Sequence, residues 1–190
     1  MTNSPIVDDL VRASAVMGGM IDRIAGDQWT APTPCTEWSV RDVVSHLVEV
    51  NLVFVAMFEE GPMPDRAADC LGADPAGAHR RSAAALLAAA VLPEALERSS
   101  SSWVDVAAGA VRLQWRVADL IVHGWDLAQA TGVAAEWPDY LVEQSLAFAR
   151  AQLPAPSRAG RFADPQPIRD DAPALERLVA FTGLPVPWTP

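Results

Sequence analysis

The chain contains no lysine; all 14 of its basic residues are arginine. That excludes Schiff-base chemistry, a pyridoxal anchor and a lysine-dependent phosphate loop. Basic residues are scarce altogether, 14 against 24 acidic, for a formal net charge of −10. With no counterion-release term to offer a phosphate backbone, nucleic acid is not an expected partner. Cys35 and Cys70 are the only cysteines, too few for a disulfide scaffold, and a reduced cytoplasmic setting is the simplest expectation. No uninterrupted apolar run reaches the length of about 18 residues that a membrane span needs. The opening Met1-Thr2-Asn3-Ser4-Pro5 has no basic stretch leading into an apolar one, so no signal peptide is expected.

What is present is apolar and helical. Hydrophobic residues make up 51% of 190, enough for one real core. The apolar period is close to 3.6 almost throughout, punctuated by proline and glycine. Ser4 and Pro5 cap and open a first helix carrying Ile6, Leu10, Met17, Ile21 and Ile24 on one face. Ser39 caps a second, with Asp42 three residues on completing a short capping box, and Val43, Val44, Leu47, Val48 and Phe58 continuing it to about Gly61. Asp74-Pro75 opens a third that runs towards Arg98, with Pro93 bending or interrupting it. Ser99 to Ser102 is a polar run, and Trp103 to Gly109 a short extended or hairpin piece. A fourth helix spans Ala110 to about Gly132, a fifth Pro138 to about Leu153, and a last short one Ala174 to Thr182. The expectation is an all-α bundle over residues 1–151, with a C-terminal tail, residues 152–190, packed on it.

Two of the three histidines lie inside apolar helices. Asp119 and His123 are four apart, one turn above each other on one face, a workable two-point grip on a divalent metal. His46 on a facing helix supplies a third ligand, leaving one position open. Against this stands the plainer reading of the histidines as packed residues of a structural bundle. Asp42, also four before a histidine, is a rival grip but better explained as a cap at the positive end of its helix. Glu49 reads as a solvated face rather than a ligand, and Asp126 either orients an imidazole or is polar surface. Arg116, about 10 Å along the axis from His123, either reaches the pocket rim to hold a carboxylate substrate or simply pairs with Asp119. Cys35 is expected to lie out of reach of the metal and His79 to be exposed. Trp115 and Trp125 are candidates for the pocket wall. Gly124, costing about 1 kcal/mol relative to alanine in a helix interior, suggests a neighbouring backbone coming close.

The stretch Pro32-Thr33-Pro34-Cys35-Thr36-Glu37-Trp38-Ser39-Val40-Arg41-Asp42-Val43-Val44-Ser45-His46-Leu47 resembles the opening motif of the mycothiol-dependent maleylpyruvate isomerase metal-binding domain, within the DinB/YfiT-like metalloenzymes. Asp119 to His123 with the following Gly124-Trp125-Asp126-Leu127-Ala128 resembles its second motif, and Asp170 to Gly183 the ending of an actinobacterial-type subfamily. The resemblance implies a four-helix bundle with a long crossover, plus short C-terminal helices. It implies a divalent metal, zinc or nickel, held by His46, Asp119 and His123, and chemistry on a low-molecular-weight thiol such as mycothiol. Two departures stand out: the isomerase has glutamate where this chain has Asp119, and a further C-terminal domain where about 40 residues follow the bundle here. The resulting expectation is a cytoplasmic metal-dependent thiol transferase or isomerase acting on a small molecule, as monomer or homodimer. Its alternative is a non-catalytic bundle that binds a metal or small ligand.

Overall fold

In the computed structural model, residues 4–65, 68–97, 99–102, 105–153, 158 and 162–189 are described. Four helices form the body: α1 (Pro5–Ile21), α2 (Val40–Glu59), α3 (Pro75–Ala90) and α4 (Gly109–Thr131). α5 (Asp139–Gln152) and the short α6 (Ala174–Thr182) pack on one another and on α4. α1 touches α3 and α4, and α2 touches the same two. α1 and α2 therefore occupy diagonal corners, as do α3 and α4, and the connections 22–39 and 91–108 cross the bundle ends. The second crossing carries a small antiparallel hairpin, β1 (Ser99–Ser102) with β2 (Asp105–Ala108). The extended piece foreseen after the serine run is β2; the serine run itself pairs with it. Trp103 and Val104 lie outside the described residues.

Each helix forms where its apolar stripe can be buried. Leu10, Met17, Met20 and Ile21 of α1 meet Val43, Val44, Leu47 of α2 and Leu113, Leu120, Ile121 of α4 in one core. Each large aliphatic side chain so removed from water contributes about 1.5–3 kcal/mol. The ends follow local chemistry. Ser39 Oγ accepts from the Asp42 N–H while the Asp42 carboxylate accepts from the Ser39 N–H at 2.9 Å. The Ser39 hydroxyl also donates to Oδ2 of Asp42 at 2.6 Å, and this bond with that from the Ser39 backbone holds the Asp42 carboxyl below its usual range, so Asp42 is committed to the cap. α3 stops at Ala90, short of the expected Arg98, because Pro93 cannot donate within a continuing helix and disfavours helical backbone before it. α4 and α6 end on Gly132 and Gly183 in left-handed conformation, φ 71° and 105°, as a glycine cap does.

Gly124 marks a close approach, although the neighbour is a side chain and not a backbone. A Cβ there would stand 2.4 Å from Cζ2 of Trp137. G124A would ordinarily gain about 1 kcal/mol of helix propensity. Here the overlap with a buried indole outweighs that gain, and a net loss of about 1–3 kcal/mol is expected, read as a lower melting temperature with unchanged helicity. Among the described residues no helix is long and apolar enough to cross a membrane.

Candidate metal centre

α2 and α4 meet where the two histidine motifs lie, with the His46 and His123 rings 5.0 Å apart and Arg116 bonded to the Leu47 carbonyl. On α4 the spacing Arg116, Asp119, His123, Asp126 runs three, four, three, which aligns all four side chains on one face. Beside them on α4, Leu113, Leu120 and Ile121 are buried in the core. On α2, His46 lies at the edge of the stripe formed by Val43 and Leu47 and is only partly covered. Packing the two stripes together brings the polar edges face to face.

Nε2 of His46 lies 3.5 Å from Oδ1 of Asp119, and Nε2 of His123 lies 3.4 Å from the same oxygen. One donor atom from each of the three residues falls within 4.8 Å of the other two. Charge-assisted hydrogen bonds are shorter than these separations, about 2.7–2.9 Å. Donors placed about 2.1 Å from a tetrahedral ion are instead about 3.4 Å apart, so the residues present fit a divalent cation. Asp119, a methylene shorter than glutamate, still reaches both imidazoles because Arg116 lies one turn below it and holds its other oxygen, Oδ2.

The surroundings orient these groups. Nδ1 of His123 faces Oδ2 of Asp126 at 2.8 Å, which turns Nε2 towards Asp119 and identifies Asp126 as the group that orients the ring. Burial opposes charge on His123, but the carboxylates of Asp119 and Asp126 outweigh it and raise its pKa to about 10. Burial likewise opposes ionisation of Asp119, and His123, His46 and Arg116 overcome it, holding the carboxyl well below its usual range.

A loop closes over this edge. Pro32 bridges Ser39, Thr33 Oγ1 donates to the Trp38 carbonyl at 2.9 Å, and the Trp38 N–H donates to the Cys35 carbonyl at 3.0 Å. The Trp38 ring is thereby held 5.0 Å from the His46 ring and 5.9 Å from the His123 ring, nearly parallel to the latter. The two imidazoles meet edge to face at 5.0 Å.

Several expectations need correction. Arg116 is 1% exposed and all three of its nitrogens bond to protein groups, so it is no rim residue for a substrate; the pairing with Asp119 is what forms, and its Arg116 side is buried. Trp38 covers the imidazoles where Trp115 and Trp125 were the candidates. Trp115 packs on Phe148 and Phe162 instead, and Trp125 is buried. Cys35 is not among the converging donors, as expected. Burial pushes its thiol up to about 11, and the charges of Asp126 and Asp119 add to the effect. His79 is buried, not exposed, at 1%. Glu49 does not join the cluster. Trp38 gave little signal beyond preceding the cap of the helix that carries His46; Asn51 gave none and was missed.

Comparison with known proteins adds the family. The mycothiol maleylpyruvate isomerase N-terminal domain matches residues 10–128, a span that contains His46, Asp119 and His123. Two uncharacterized proteins, from two strains of Mycobacterium tuberculosis, are each 31% identical over 180 residues, covering 92% of this chain and 95% of their own. No solved structure matches the chain. On the extent of the domain match and of these two relatives, the chain belongs to the mycothiol maleylpyruvate isomerase N-terminal domain family.

Proposed function

We propose that the protein binds a divalent metal, zinc or nickel, through Nε2 of His46, Oδ1 of Asp119 and Nε2 of His123, and uses it in transfer or isomerisation chemistry on a low-molecular-weight thiol of the mycothiol type. The observation that carries this reading is the pair of separations, 3.4 and 3.5 Å, from one carboxylate oxygen to two imidazole nitrogens on different helices. His46, Asp119 and His123 would hold the metal, and when bound it would act as a Lewis acid, lowering the pKa of a thiol or water to give a nucleophile near neutral pH. Asp126 keeps His123 aimed, His123 with His46 and Arg116 keeps Asp119 ionised, and the Trp38 indole stacks beside the imidazole pair. A small-molecule acceptor is the expected second substrate, and the free Cys35 and Cys70 suit the cytoplasm, where such thiols are kept reduced.

The burial of Arg116 favours one alternative, a non-catalytic bundle that binds a metal or a small ligand, since this cation is spent on the protein rather than on a substrate. Titrating mycothiol into zinc-loaded and metal-free protein, followed by an assay with an electrophilic acceptor, separates the readings. The proposal expects metal-dependent thiol binding and turnover. Binding without turnover selects the non-catalytic bundle, and equal thiol binding with and without metal overturns the thiol reading.

A further inference from the structure

Behind the three donor atoms runs a buried chain of hydrogen bonds that links three helices. Ser82 on α3 donates its hydroxyl to the His79 carbonyl at 3.0 Å, and accepts from Nδ2 of Asn51 on α2, also at 3.0 Å. Oδ1 of Asn51 accepts from Nε and from Nη2 of Arg116 on α4, at 3.0 and 2.8 Å. Nη2 of Arg116 also donates to the Leu47 carbonyl at 2.8 Å, the residue next to His46. Its Nη1 donates to Oδ2 of Asp119. Ser82, Asn51 and Arg116 are 4%, 2% and 1% exposed.

The donations all agree in direction. With its hydroxyl proton spent on a carbonyl, Ser82 can only accept from the amide, so Asn51 turns its NH2 to Ser82 and its oxygen to Arg116. The guanidinium, a planar fork, then has one orientation left, with Nη1 against Asp119. We infer that Asn51 and Arg116 are positioning residues that restrict Asp119 to ligation through one oxygen: the guanidinium occupies Oδ2, and only Oδ1 faces the two imidazole nitrogens. This inference rests on the metal reading above. It assigns the fold a way to keep a coordination position open, because a carboxylate free to turn would present both oxygens to the same cation. It also ties α4 to the turn of α2 that carries His46, setting the spacing between ligands from different helices.

Cobalt(II) is the probe, since its visible absorption is strong when four-coordinate and weak at higher coordination. Wild-type protein titrated with cobalt(II) is expected to show the strong band. R116M is expected to weaken the band and to lower cobalt affinity by about 10- to 100-fold, the range typical of groups that orient metal ligands, with far-UV helicity retained. N51L, which leaves Arg116 its contacts to Asp119 and Leu47, changes both readouts in the same direction by less, and decides the matter if R116M does not fold. Wild-type spectra and affinities within about twofold in the folded variants overturn the positioning role while the metal reading stands. A wild-type protein that takes up no cobalt(II) overturns both.

Discussion

Replacing His123 with alanine removes stoichiometric metal from the protein. Wild type, loaded with zinc and dialysed, is expected to keep about one ion per chain, and H123A below about a tenth, since two remaining ligands do not make a closed site. The loss is large because His123 is held from both sides, by Asp126 at Nδ1 and against Asp119 at Nε2. The same substitution strips Asp126 of its partner. That carboxylate is 0% exposed, and its Oδ1 has no hydrogen-bond partner among the described residues. An unpaired buried acceptor costs about 1–3 kcal/mol, so H123A is expected to melt earlier as well. H46A is the cleaner companion, because the His46 ring is more open to solvent, 26% exposed against 13% for His123. Metal analysis and circular dichroism on both variants check this: metal lost in each, helicity kept in each. Retention of a full zinc equivalent in H46A would remove α2 from the ligand set.

The second large effect is on stability and lies away from the metal. His79 is 1% exposed, and neither ring nitrogen has a hydrogen-bond partner among the described residues. A neutral imidazole carries one N–H, and burying that donor unpaired costs about 1–3 kcal/mol. Burial, with the nearby Arg116 and Arg80 charges, lowers the His79 pKa from 6.5 to about 4. Above pH 6.5 neither folded nor unfolded chain protonates it, and this residue gives no pH dependence. Between 6.5 and about 4 the unfolded chain takes up a proton that the folded chain refuses, so stability falls as pH falls. At about 1.4 kcal/mol per pH unit the loss approaches about 3 kcal/mol by pH 4. H79L, similar in bulk and without polar atoms, is expected to stabilise the protein by about 1 kcal/mol or more at pH 7. It is also expected to flatten the decline between pH 6.5 and 4. Urea denaturation of both proteins across that range measures the difference; identical slopes would show that His79 titrates normally.

How much of this was legible depended on whether one helix was enough to show it. The spacing of Asp119 and His123 follows from helical geometry alone, so the pair stood out from the sequence, and His46 followed as an imidazole on another amphipathic helix. The capping box of Ser39 and Asp42 is equally local. Asn51 and Ser82 acquire meaning only when α2 and α3 pack against α4, and nothing in either helix's own period marks them. His79 misled for a related reason: α3 is so rich in alanine that it has little contrast between faces, and its buried side is set by α2 rather than by its own pattern. The serine run Ser99–Ser102 cannot show the alternation by which strands are read, so its pairing with β2 is tertiary information. Arg116 was read at the right face but the wrong depth, because axial distance along a helix says nothing about what covers the residue.

The claim on which the rest depends is that side chains from two helices share one cation. Elemental analysis of the purified protein after incubation with zinc or nickel and exhaustive dialysis tests it directly. About one metal ion per chain is the predicted result. Less than about a tenth of an ion per chain, from protein of intact helicity, would contradict it and leave the His46, Asp119 and His123 cluster as packing alone.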